Sequence, residues 1–207
     1  MDGPDSWYTM PVLQGGRIRL EPLAVEHASG YLDAGQDDED VFRWLNTPGS
    51  TTGAPRGLAD ATKDIVAALA ARAHGERLAY AQIDVASGRF AGTTSCYDVA
   101  PASRSLAIGH TWLGRQWWRT GHNTESKLLL LTHAFDTLGA ARVVWHTDIH
   151  NERSQAAIAG LGALREGELR KHKIRRDGSW RTTVQYSMTD DDWPAARDRL
   201  AARLDRG

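Results

Sequence analysis

"RSLAIGHTWLGRQWWRTGHNTESKLLLLTHAFDTLGAARVVWHTDI", residues Arg104 to Ile149, is the stretch that decides the fold. Arg104–Leu113 reads as a strand from its apolar and β-forming residues. The run from Thr124 to Leu138 holds four consecutive leucines, reads as a helix, and is closed by Gly139. "ARVVWHTDI", Ala141–Ile149, is a strand again, and a helix from Asn151 to near Gly160 completes a β-α-β-α stretch.

Between the first strand and its helix lies "GRQWWRTGHN", Gly114–Asn123, a donor-rich turn with Gly121 inside it. A helix N-terminus carries unpaired N–H groups and about half a positive charge, so it attracts phosphate. The N–H groups of Arg119, Thr120, Gly121, His122, Asn123 and Thr124 can converge on a pyrophosphate. Gly121 allows close backbone approach, and Arg119 adds a permanent charge. A plain cap fits the spacing equally, with Asn123 or Thr124 closing a core helix. Neither the P-loop pattern nor G-x-G-x-x-G is present to decide between them.

Outward from this stretch, "RIRLEP" (Arg17–Pro22) is a strand stopped by Pro22, and Ala24–Gly35 reads as a short helix. Ser50–Gly57 is a loop before an amphipathic helix, Leu58–Gly75. Arg77–Val85 and Arg89–Val99 form a hairpin about Ala86-Ser87-Gly88. "LRKHKIRRDGSWRTTVQYSM" (Leu169–Met188) is two strands about Asp177-Gly178, and Trp193-Pro194 opens a C-terminal helix. Hairpins flanking a β-α-β-α stretch predict an α+β fold rather than a doubly wound sheet.

The 207 residues suit a single domain over 1–207, with its core over 15–195 and its last helix reaching 205. Hydrophobic and charged fractions of 41% and 25% are those of a soluble globular chain. With 25 basic and 26 acidic residues, no bulk field favours nucleic acid or a membrane. "RKHKIRR" (Arg170–Arg176) is split over two strand faces and reads as a solvated hairpin. Cys96 stands alone, so no internal disulfide or cysteine metal cluster is possible, and no metal is expected. Met1–Met10 lacks a signal pattern and no apolar run is of membrane length, so a cytoplasmic protein is expected.

After the quoted stretch comes "TDIHNERSQAAIAGLGALREGELR", and later "DGSWRTTVQYSMTDDDW". In this order the segments resemble the GCN5-related N-acetyltransferases, most nearly the RimJ/RimL-type branch that acetylates ribosomal-protein N-termini. The resemblance covers residues 15–195 and is strongest over 104–193. It implies acetyl-CoA-dependent transfer to an amine. It also implies a mixed, mostly antiparallel twisted sheet, flanked by helices and splayed at Leu106–Leu113. Pantetheine would lie in the gap beside Trp112 and Leu113, with the pyrophosphate on the following helix N-terminus. Asn151 falls at the family's pantetheine-contacting Asn, and Ser154 lies one turn further on the same face. The family turn is Gln/Arg-x-x-Gly-x-Gly/Ala. Here Trp118 and Asn123 occupy its outer places, only Gly121 is retained, and Arg119 is the candidate replacement charge.

The chemistry asks for a neutral amine, a donor for the tetrahedral oxyanion and a proton for the leaving thiolate. Many relatives carry a Glu in "EIGY". Here "AIGH" (Ala107–His110) makes His110 the candidate base, near its titration range. His110 also shares strand parity with Leu106, Ile108 and Trp112, which suits a core imidazole. The family's Tyr acid falls at Ile158, leaving Ser154 as the nearest candidate acid, with a helix-cap reading beside it. His146 and Asp148 are further candidates, more naturally structural, and Glu125 complements the helix dipole. The pair Trp117-Trp118 reads as packing. The acidic run Asp37–Asp40 nominates Asp38 and Asp40 as acceptor-binding residues for a cationic amine, against a solvated loop.

The resulting expectation is an acetyl-CoA-dependent enzyme acting on a small-molecule primary amine, such as an amino sugar or aminoglycoside-like compound. A protein N-terminus, as in the RimJ/RimL type, and a non-catalytic acyl-CoA-binding module are the alternatives. A homodimer is left open.

Overall fold

The computed structural model describes residues 4–45 and 53–206. Eight strands form one sheet: β1 (Leu13–Gln14), β2 (Ile18–Pro22), β3 (Arg77–Asp84), β4 (Phe90–Ala100), β5 (Ser105–Leu113), β6 (Arg142–Asp148), β7 (Leu164–Ile174) and β8 (Trp180–Thr189). Their order is β1-β2-β3-β4-β5-β6-β8-β7. The β5–β6 pair is parallel and the other neighbours are antiparallel. The helices are α1 (Ala28–Gly35), α2 (Glu39–Phe42), α3 (Leu58–Ala73), α4 (His122–Thr132), α5 (Glu152–Leu161) and α6 (Trp193–Asp205). The fold is therefore α+β, with α4 serving as the crossover that a parallel pair requires.

Each face of the sheet has its own core. Leu106, Ile108, Val143, Trp145, Val184 and Met188 pack with Leu130, Leu131 and Leu200 of α4 and α6. On the other face Ala79, Ala81, Ile83, Phe90 and Trp112 pack with Tyr31, Phe42 and Ile65 from α1, α2 and α3. Every residue of β3 is buried, as expected for a strand covered on both sides.

The splay sits where β5 and β6 part. Their pairing is confined to Ser105–Arg142, Leu106–Val143 and Ala107–Val144. Beyond Ala107 the strand carries a bulge. Its register against β4 jumps from Ser95–Gly109 to Thr93–Trp112, and His110 holds a φ of 48°. A bulge bends its strand and shifts side-chain parity. This corrects the parity expectation: Trp112 lies in the opposite core from Leu106 and Ile108.

Helix α4 begins at His122 rather than Thr124, with Gly121 as N-cap at φ 85°, and its final turn, His133–Thr137, widens to a π-turn. Strand β7 begins at Leu164, ahead of the expected Leu169. Residues 53–57 are loop as expected, while 50–52 of that expected loop lie outside the described residues. No described helix is long and apolar enough to cross a membrane.

Candidate active site

A cavity of about 810 Å³ opens between the diverging strands. Its walls are β5 from Ile108 to Leu113, β6 from Trp145 to Asp148, one face of α5, and the turn before α4.

At one end Arg119, Thr120, Gly121, Asn123 and Thr124 line the cavity. Glu125 does more there than meet the helix dipole. Its carboxylate accepts the backbone N–H groups of Gly16 (3.1 Å), Arg17 (2.7 Å) and Ile18 (2.7 Å). That contact fastens the start of β2 to the first turn of α4 and brings Arg17 into the wall. Arg17 Nη2 donates to the Leu204 carbonyl at 3.2 Å, and Arg203 from the same turn of α6 lines the cavity too. Among the described residues Arg119 and Arg203 have no ion-pair partner. A Cβ at Gly121 would stand 3.3 Å from Arg17 Cδ, within the space the turn keeps open. Three guanidinium groups beside the free N–H groups of a helix start fit a diphosphate well.

His122 is the exception in this turn. Its side chain is buried and does not line the cavity; the ring bridges Thr120 Oγ1 (2.7 Å) and Asp84 Oδ1 (2.8 Å). It ties the turn to β3 and offers no side-chain contact to a ligand. Trp112 and Leu113 line the splay, yet the Trp112 ring packs edge-on against Tyr31 at 4.8 Å. Asn151 caps α5, its Oδ1 accepting the Ser154 N–H at 3.1 Å, and both residues line the cavity. The Ser154 hydroxyl makes no hydrogen bond among the described residues.

His110 also lines the cavity, with its ring edge-on to Tyr97 at 5.3 Å. Burial pushes it down to about 3, helped by the charges of Arg77, Lys173 and Arg181. It is neutral but a feeble base. Tyr97 and His146 form a more connected pair. Tyr97 Oη meets His146 Nδ1 at 3.1 Å, His146 Nε2 meets Gln185 Oε1 at 3.1 Å, and Gln185 Nε2 donates to Glu166 at 2.9 Å. Glu166, held to about 2 chiefly by its hydrogen bonds from Arg142, can only accept. The Gln185 amide is thereby oriented, so His146 donates from Nε2 and receives the Tyr97 proton at Nδ1. Burial lowers His146 and raises Tyr97, so both are neutral at ordinary pH. Gly109 makes room for this pair, since a Cβ there would stand 2.8 Å from the Tyr97 ring.

Asp38 and Asp40 do not line the cavity. Arg115 forks onto Asp38 with two contacts of 2.8 Å and reaches Asp40 at 3.1 Å. Those hydrogen bonds hold the Asp38 carboxyl below the usual range. Asp148 faces the cavity but is gripped by Arg175 at 2.7 and 3.0 Å. Trp117 is buried as expected, and both tryptophans line the cavity, Trp118 beneath the Arg153 guanidinium, 4.1 Å from its ring.

Arg17, Tyr97, Lys173, Arg181 and Arg203 line the site without having been singled out from the sequence. They come from the turn before β2 and from β4, β7, β8 and α6, and no local spacing links them.

A splayed parallel pair with a cationic helix start beneath it defines an acyltransferase that draws on an acyl-CoA donor. The acetyltransferase (GNAT) domain family matches residues 17–164, and this chain belongs to it as a GNAT N-acetyltransferase. A Bacillus subtilis (strain 168) relative, named "Putative ribosomal N-acetyltransferase YdaF", is 28% identical over 106 residues. That match spans 51% of this chain and 57% of the relative's length. A GCN5-related N-acetyltransferase from Brucella melitensis superposes with a TM-score of 0.87 at 29% identity, over 95% of this chain and 86% of that one. RimJ of Mycobacterium smegmatis, solved in complex with CoA-disulfide, shares the fold with a TM-score of 0.74 at 24% identity, over 94% and 92% of the two chains.

Proposed function

We propose that the protein transfers acetyl from acetyl-CoA to the α-amine of a protein N-terminus, as a RimJ/RimL-type enzyme. The observation that carries this reading is the weakness of the bases around the splay. His110 is pushed down to about 3, His146 is lowered by burial, and the family's Glu place is Ala107. A lysine-like amine near pKa 10.4 would arrive as ammonium and need a stronger base. An α-amine, at roughly 7.7–8.0, is substantially neutral already.

The ribosomal name of the B. subtilis relative supports the same acceptor. The small-molecule reading loses its footing, because Asp38 and Asp40 are paired with Arg115 and do not line the cavity. Lys173 and Arg181 in the cavity wall would repel an aminoglycoside-like polycation.

Acetyl-CoA supplies a thioester already activated toward amines. Arg17, Arg119, Arg203 and the α4 turn would grip its diphosphate. The Asn151 amide NH₂ remains available to donate into the cavity, since its oxygen is committed to the cap. Tyr97 Oη can take the proton the amine loses as its own passes to His146 Nδ1. The Ser154 hydroxyl is uncommitted and suits donation to a departing sulfur. Thiol release measured against N-terminal peptides, polyamines and aminoglycosides tests the reading. It predicts turnover with peptides and little with polycations; the reverse order would overturn it.

A further inference from the structure

Strands β7 and β8 place Lys173 directly opposite Arg181. Like charges at such a position destabilise a sheet unless something compensates them. Arg181 is only 8% exposed, and its Nε has no hydrogen-bond partner among the described residues. Lys173 makes no hydrogen bond or ion pair among them either. Asp98 acts on Lys173 and Asp148 on Arg181 through space, but neither carboxylate makes a hydrogen bond or ion pair with these cations among the described residues. Asp148 is taken by the Arg175 fork, and Asp98 lies exposed where β4 bulges against β5. The neighbouring imidazoles of His110, His146 and His172 are neutral, each lowered in part by these same cations.

Both cations line the cavity. Arg181 shares the β8 face of Thr183 and Gln185, while Val184, Tyr186 and Met188 point at the core under α4 and α6. The arginine cradle at the α4 turn belongs to that helical side. The Lys173–Arg181 pair therefore lies across the sheet from it, on the side of Tyr97 and His146. A buried, unpartnered guanidinium is kept where a ligand completes it. Its planar fork suits a carboxylate.

We infer that Lys173 and Arg181 form an anion subsite for the acceptor, reading a carboxylate within the first three residues of the acetylated N-terminus. This rests on the proposed α-amine chemistry. The reach follows from position: Arg181 and Tyr97 line the same cavity, and an extended peptide advances about 3.3–3.6 Å per residue.

The test is a pair of peptides differing only by Glu against Gln at the second residue. For the wild type kcat/KM should favour the Glu peptide by about tenfold, the scale of one charged hydrogen bond. Added salt should narrow the gap. Arg181→Gln and Lys173→Gln should each bring the preference to within about twofold. Arg181→Gln should melt no lower than the wild type, because it removes a buried charge that no hydrogen bond or ion pair holds among the described residues. If it does melt early, Lys173→Gln on the exposed hairpin carries the comparison. Equal rates for the two peptides in the wild type, or a preference surviving in both variants, would overturn the subsite. If neither peptide reacts, the α-amine reading fails separately. The subsite is then read with free amino acids against their amides: a carboxylate preference lost in both variants keeps it, and no preference ends it.

Discussion

Glu125 and Arg17 are joined across the sequence, the carboxylate Oε2 accepting the Arg17 backbone N–H at 2.7 Å. One helical residue thereby fixes where a distant segment, just ahead of β2, delivers its guanidinium to the cavity wall. Glu125→Gln keeps the size but turns an NH₂ toward backbone donors that now lack an anion. Stability should fall by about 2 kcal/mol, as for charged hydrogen bonds left unmet. The gain in melting temperature on adding acetyl-CoA should shrink as well. An unchanged thermal shift would separate the staple from donor binding.

At Gly121 the φ of 85° lies in the left-handed region, where a side chain costs about 1–2 kcal/mol. Gly121→Ala should lower the apo melting temperature slightly and cut the acetyl-CoA shift more, by crowding Arg17. Isothermal titration that found equal affinity in both proteins would remove this turn from the donor site.

The fold and the glycine turn at the start of α4 are legible in the sequence because each is written in one contiguous run. The β-α-β-α periodicity of Arg104–Gly160 and the Gly121 turn need no long-range partner to be recognised. The Tyr97 side of the cavity is assembled otherwise. Tyr97 reaches His146 across 49 positions, and Lys173 meets Arg181 only through a hairpin register that itself contains an irregularity. Parity misread β5 beyond Gly109 because one bulged residue, His110, reverses the alternation. Nothing local in the acidic run announces that Arg115 pairs with Asp38 and Asp40.

Lys127 predicts a pH effect. Its Nζ is buried on Thr94 Oγ1 (2.7 Å) and Thr111 Oγ1 (2.8 Å), and burial lowers it to about 7 from 10.5. Below pH 7 both folded and unfolded chains carry the proton. Between about 7 and 10.5 the unfolded chain alone holds it, so stability should rise with pH across that window. Lys127→Met leaves the two threonine hydroxyls bonded to each other at 2.8 Å. Denaturant melts should find the variant more stable than the wild type at about pH 6, the gap closing toward about pH 10. A gap independent of pH would mean that this amine titrates normally.

Ser154→Ala keeps the cap, because the Asn151 carbonyl bonds the backbone of residue 154 and not its hydroxyl. Turnover should fall by about tenfold or more with little change in the KM for acetyl-CoA, as expected for loss of a group acting on the leaving sulfur. Unchanged turnover would leave that hydroxyl without a part in the reaction.

The most direct measurement is the position of the acetyl group on a peptide that offers both amines. A peptide with a free N-terminus, an acidic second residue and an internal lysine is incubated with the protein and acetyl-CoA near neutral pH. Fragmentation mass spectrometry then locates the product. The weak bases of the site predict acetyl on the α-amine, with the lysine side chain untouched. Acetyl on the lysine, or on an aminoglycoside in preference to the peptide, would contradict the account.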